Sequence, residues 1–188
     1  MKMSTSNGAQ GPSMKLTLEL IPSTAWLHSL HRYLTDKAWT NLRQSILDKN
    51  GTSCSVCGAT NVRLDCNEQW EFDDKTHIQR LVGLVMLCQM CHLTVHMMER
   101  GSITNDVLAE HFMKVNGCSR EEFEVHYQQC LEEQARREFD QYTRGPVTWD
   151  QDFGEYTSLL AQEGNLKQRY QWHNGYVVSV GMKRLRGK

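Results

Sequence analysis

Cys54-Ser-Val-Cys57 and, beyond a β-rich stretch, Cys88-Gln-Met-Cys91-His92-Leu-Thr-Val-His96 decide how this chain is read. Two Cys-x-x-Cys pairs are a strong signature of zinc held by four thiolates, because each tight turn brings two sulfurs to one tetrahedral ion. Cys54, Cys57, Cys88 and Cys91 are therefore assigned to a structural Zn²⁺. The two histidines that follow suggest a different chemistry. His92 and His96 stand at i and i+4, so on a helix both imidazoles leave the same face. That geometry suits a second divalent ion beside the structural one.

Outward from the cysteines, the periodicity predicts two strands and a helix. Val62–Phe72 carries Val62, Leu64, Cys66, Trp70 and Phe72 in an extended pattern, and Arg80–Leu87 reads as the returning strand. The helix runs from about Gln89 to Arg100, closed by Gly101. Upstream, Lys15–Ile21 reads as a short strand ended by Pro22, and Ser23–Tyr33 as a helix with Trp26, Leu27, Leu30 and Tyr33 on one side. Thr35 caps a second helix that Asn50-Gly51 stops. Downstream, a helix capped by Thr104 or Asn105 ends at Asn116-Gly117. Ser119-Arg-Glu-Glu122 is a capping box that opens a long helix to about Gln141. Val147–Gly164 reads as a loop with a short helix, and Arg169–Met182 as a hairpin turning at Asn174-Gly175. The organisation expected is a disordered lead (1–13), an N-terminal strand and helices (14–50), a zinc core (51–101), a helical extension (102–144), and a loop, hairpin and basic tail (145–188).

Composition narrows the class. A chain of 188 residues, 39% hydrophobic, can bury a core without disulfide staples. No apolar run is long enough for a bilayer, and the polar N-terminus lacks the apolar core of a signal peptide. Paired cysteine spacing without a secretory signal points to reduced thiols in the cytoplasm, with Cys66, Cys118 and Cys130 left over as buried or half-buried thiols. A formal charge of −1 argues against a uniformly basic nucleic-acid protein. After Glu163, however, the chain carries Lys167, Arg169, Lys183, Arg184, Arg186 and Lys188 and no acid. Lys183, Arg184 and Arg186 are the candidate DNA-backbone contacts there, and Lys37, Arg43 and Lys49 form a second basic patch.

The Cys54/Cys57 pair, the Leu64–Asp74 stretch "LDCNEQWEFDD" and the Leu87–His96 stretch "LCQMCHLTVH" together resemble the HNH endonuclease family. More narrowly they are similar to stand-alone bacterial HNH proteins, whose lead-in and trailing segments Leu16–Trp26 and His111–Ser119 also resemble. The resemblance spans roughly Met14 to Gln141. It implies an α+β fold with a treble-clef-like ββα-metal core, and a metal-dependent hydrolase of DNA phosphodiesters. It also implies that His92 and His96 hold a catalytic ion such as Mg²⁺, with Glu68 and His92 among the catalytic residues.

Two departures from that pattern carry consequences. Asn67 stands where the family has its first His, and Gly83 where the middle Asn is expected. An amide takes no proton at neutral pH and is a poorer ligand than imidazole for transition metals. If position 67 is the base, cleavage should be nearly lost. If it is a ligand, Glu68 can serve as base with a hard ion. Two other readings stand beside the nuclease: a zinc module that binds DNA or a protein partner without cutting, and a nuclease subunit of a larger defence or phage assembly. Asp65 and Glu68 also read as solvated strand residues, and His28, His31, His111, His126 and His173 carry no partner pattern.

Overall fold

The computed structural model describes residues 14–26, 28–98, 106–144 and 148–180. The lead 1–13, the helix caps Thr104 and Asn105, and the cations Lys183, Arg184 and Arg186 lie outside the described residues.

The centre of the α+β fold is an antiparallel hairpin, β1 (Leu64–Asp73) and β2 (Ile78–Cys88). It runs directly into helix α3 (Gln89–Val95) at Cys88. The register slips between Gln69 and Trp70, where β2 carries an extra residue, Val82, a bulge opposite β1 just past Asn67 and Glu68. Gly83 pairs with Gln69 at that irregularity, and a Cβ there would lie 3.2 Å from Gln69 Oε1.

Helices α1 (Leu30–Tyr33) and α2 (Asp36–Asn50) precede the hairpin. Thr35 Oγ1 accepts the Ala38 N–H at 3.3 Å as the cap of α2, and Gly51 ends it at φ 85°. After the hairpin unit come α4 (Asp106–Asn116) and α5 (Arg120–Arg144). The capping box forms as the spacing predicts: Ser119 Oγ accepts from Glu122 N–H at 3.2 Å, and Glu122 Oε2 accepts from Ser119 N–H at 2.7 Å. Phe112 of α4 packs against Phe123 of α5, and both sit in a core with Leu16, Leu30, Leu34, Met86 and Leu87.

Four expectations need correction. The helix expected from Gln89 to about Arg100 ends at Val95, with His96 as its C-cap. Lys15–Ile21 forms no strand; it runs extended across α3, tied by one bond from Glu19 N–H to the Val95 carbonyl at 2.9 Å. Its alternation buries Leu16 and Leu18 instead of pairing with a sheet edge. The helix expected over Ser23–Tyr33 is broken into a 3₁₀ turn at Ser23–Ala25 and the short α1. Ser29 interrupts it by accepting the Arg32 N–H, a capping preference that outweighs the apolar periodicity. Finally, the segment after Trp149 supplies a third strand, β3 (Asp150–Asp152), parallel to β2.

Beyond β3, a 3₁₀ turn (Gly154–Tyr156) and α6 (Thr157–Ala161) lead to the hairpin β4 (Tyr170–His173) and β5 (Tyr176–Ser179). That hairpin turns at Asn174 and Gly175, both at positive φ, as the dipeptide predicts. The segment is stitched to the front of the molecule. Phe153 meets Tyr33 and Trp70 edge-on, and Thr35 N–H donates to the Asn165 carbonyl at 2.7 Å.

Candidate functional site

The two Cys-x-x-Cys turns come together. Cys54 begins a knuckle in which Gly58 N–H returns to the Cys54 carbonyl and Cys54 N–H reaches the Ala59 carbonyl, each at 2.9 Å. Gly58 sits at φ 75°, a conformation that suits a residue without Cβ. The second turn is the start of α3, where Cys88 Sγ accepts the Cys91 N–H at 3.5 Å. The four sulfurs all lie within 4.8 Å of one another. A tetrahedron with metal–sulfur bonds of about 2.3 Å has edges of about 3.8 Å. Cys57 Sγ and Cys88 Sγ are 3.7 Å apart, so the donor set fits a zinc ion in both size and chemistry. All seven cysteines are free thiols. Burial pushes Cys66 and Cys130 up to about 11, so both stay protonated and unsuited to metal.

One contact at this site was invisible in the sequence. His111 reaches across from α4 and places Nε2 3.2 Å from Cys91 Sγ. Burial, and then Lys114, hold His111 below its ordinary range, favouring a neutral ring. A neutral imidazole with its proton on Nε2 is a donor to a thiolate.

The histidines occupy the other end of α3. His92 and His96 have ring centroids 4.9 Å apart at 82°. His92 Nδ1 lies 3.5 Å from Asp65 Oδ2 on β1. His96 Nε2 lies 2.9 Å from Asn67 Oδ1, and His96 Nδ1 3.7 Å from Glu19 Oε2. Asn67 is only 4% exposed, and its amide is fully used: Nδ2 donates to Glu19 Oε1 at 2.9 Å and, more weakly, to the Glu68 carbonyl at 3.4 Å. A carboxylate oxygen only accepts, so Nδ2 must face Glu19 and Oδ1 must face His96.

Glu68 turns toward α1. Its two carboxylate oxygens accept the Leu30 and His31 backbone N–H groups, each at 3.0 Å. Burial dominates its titration and pushes the carboxyl up to about 7 despite those donors; the nearby Glu19 adds to the rise.

These groups face a single cavity of about 290 Å³. Glu19, Asn67, Glu68, His92 and His96 line it, with Trp26, Trp39 and Trp70 among its aromatic walls. Of the site residues expected from the sequence, all four around β1 and α3 are brought together, and Glu19 joins them from the N-terminal segment. The signal for Glu19 was slight: an acid between Leu18 and Leu20 in an alternating stretch. Arg43, expected in a basic patch, instead donates to the Leu64 carbonyl at 2.7 Å and braces β1 against α2.

Among the described residues, the four cysteines are the one group of three or more Cys, His, Asp or Glu ligand atoms close enough to share an ion. No helix of the described residues is long and apolar enough to cross a membrane. No protein-family model, no curated protein and no solved structure matches the chain. What is established is therefore an α+β protein with a four-cysteine cluster fit for zinc and, at the far end of the same helix, a cavity lined by two histidines, an asparagine and two carboxylates.

Proposed function

We propose that the chain is a metal-dependent endonuclease of the HNH type, acting on DNA phosphodiester bonds and weakened at Asn67. The observation that carries this reading is the shared cavity: His92 on α3 and His96 at its C-cap open onto the same space as Asn67 and Glu68 on β1. His92 and His96 would hold the catalytic ion. A bound divalent ion would neutralise phosphate charge and stabilise the departing oxygen.

The chain's own residues then have distinct work. Hydrolysis requires a water to lose a proton to a base while its oxygen bonds to phosphorus. The bond from phosphorus to the leaving sugar oxygen breaks, and that oxygen takes up a proton. Asn67 sits where the base is expected and cannot take the first proton. Glu68, raised to about 7, is the remaining acceptor with a suitable proton affinity, although both its oxygens are engaged by backbone donors. His92, held by Asp65, is oriented toward the same space. The zinc cluster fixes where α3 begins relative to β1, and so where His92 and His96 stand.

The competing reading is a zinc module that binds DNA or a protein partner without cutting. It is favoured by Asn67 itself, whose amide is satisfied on both sides without any ligand. Plasmid nicking in Mg²⁺, Mn²⁺ or Ni²⁺ separates the two. The nuclease reading expects little cleavage by this chain and clear cleavage by Asn67→His. Equal inactivity of both, with both proteins folded, supports the binding module.

A further inference from the structure

We infer that Glu19 is a positioning residue for the side chain at position 67, holding its N–H edge so that the opposite edge meets the cavity. This rests on the nuclease reading and adds to it a residue that no motif contains. Three observations converge on Glu19. Its backbone N–H is fastened to the Val95 carbonyl of α3 at 2.9 Å, and its neighbour Leu18 is buried in the core, so the carboxylate starts from a fixed point. Oε1 accepts from Asn67 Nδ2 at 2.9 Å. Oε2 lies 3.7 Å from His96 Nδ1, so one carboxylate faces both the base position and a helix histidine.

The side chain is well enclosed, at 17% exposure. A carboxylate kept from water is stabilised by N–H donors around it and in turn orients them. Asparagine and histidine share a branch point at Cγ, and Nδ2 of the amide corresponds in position to Nδ1 of an imidazole. An imidazole at position 67 would therefore give its Nδ1–H to Glu19 and keep the Nε2 lone pair for a proton. This is the logic by which a buried carboxylate sets the tautomer of a catalytic histidine. Asn67 preserves the N–H toward Glu19 and lacks the lone pair. It also presents Oδ1 to His96 Nε2, occupying a nitrogen that an imidazole carbon in that place would release. The amide thus keeps the architecture of the position while removing its chemistry.

The test uses the full chain and two readouts. The first is the side-chain amide NMR signal of Asn67, compared between the unaltered chain and Glu19→Gln. The second is plasmid nicking by Asn67→His, compared with the double variant Asn67→His, Glu19→Gln, with both melts recorded. The inference expects a displaced Asn67 amide signal. It also expects kcat to fall about 10- to 100-fold in the double variant, the usual cost of removing an orienting partner, with KM nearly unchanged. Glu19→Asp, which keeps the charge on a shorter stem, should recover part of that loss. An unmoved amide signal, or a double variant as fast as Asn67→His, overturns the role given to Glu19. Absence of nicking by folded Asn67→His overturns the nuclease reading itself, and the catalytic meaning of Glu19 falls with it.

Discussion

Helix α3 carries a site at each end, and the two are built on opposite principles. At its start, four sulfurs from two short turns gather within 4.8 Å, each turn closed by its own local hydrogen bonds. At its finish, the cavity draws Glu19 from the N-terminal segment, Asn67 and Glu68 from β1, and His92 and His96 from the helix. The first site needs only the hairpin to bring two prefabricated halves together. The second exists only when the N-terminal segment has crossed α3 and docked. A local site can organise a fold, whereas a composite one depends on the fold being complete.

The sharpest way to break this contrast is to remove the sulfur end. Cys88→Ser takes away one of the four thiols while leaving a hydroxyl that can still cap α3, so the loss is read on the sulfur cluster alone. With zinc in the cluster, apparent binding energies of about 10–16 kcal/mol, as in small zinc domains, would make it a main source of stability. The expected outcome is loss of the cooperative melt, by calorimetry or circular dichroism, and likewise on chelation. A melt that stays cooperative after chelation would show that the hairpin stands without its ion.

The composite end should respond chiefly in function. Asn67→His should raise nicking about 10²- to 10⁴-fold, the range a positioned base contributes, at a nearly unchanged melting temperature. Glu68 then makes the pH dependence specific. As a base it works only when ionised, so residual nicking by the unaltered chain should rise with pH through about 7. Stability should move the other way. A carboxyl whose proton affinity is higher when folded favours the fold fully below its ordinary value of 4.5 and loses that advantage as pH climbs to about 7. Glu68→Gln should flatten that part of the stability profile, measured by denaturant unfolding at several pH values.

The smallest effect concerns His111, which links the sulfur end to α4. His111→Ala removes the contact to Cys91 Sγ and should lower stability by about 1.5–3 kcal/mol, the worth of a hydrogen bond to a charged group. It should also speed zinc transfer to a chromogenic chelator, while leaving the cavity at the other end of α3 untouched. An unchanged transfer rate would reduce His111 to a packing residue.

Legibility in the sequence followed the same division. Hairpin β1–β2, the start of α3, the capping box at Ser119 and the turn at Asn174-Gly175 could all be read, because each is set by residues close together in the chain. Strand β3 could not. Asp150-Gln-Asp has no alternation to show, and it becomes a strand only because β2 offers a free edge and Arg80 meets Asp152 at 2.9 Å. Lys15–Ile21 misled for the converse reason: its alternation is real, but it reflects a face laid on the core, not a sheet.

Spacing alone was sufficient to foretell that the four thiols would gather and that His92 and His96 would stand close together, since a turn and a helix fix distances over a few residues. Tertiary packing alone decided that Glu19 would meet Asn67 and His96, that His111 would touch Cys91, and that Glu68 would bury its carboxyl under α1. Those contacts join residues far apart in the chain, and no local periodicity encodes which distant side chain a buried polar group will find.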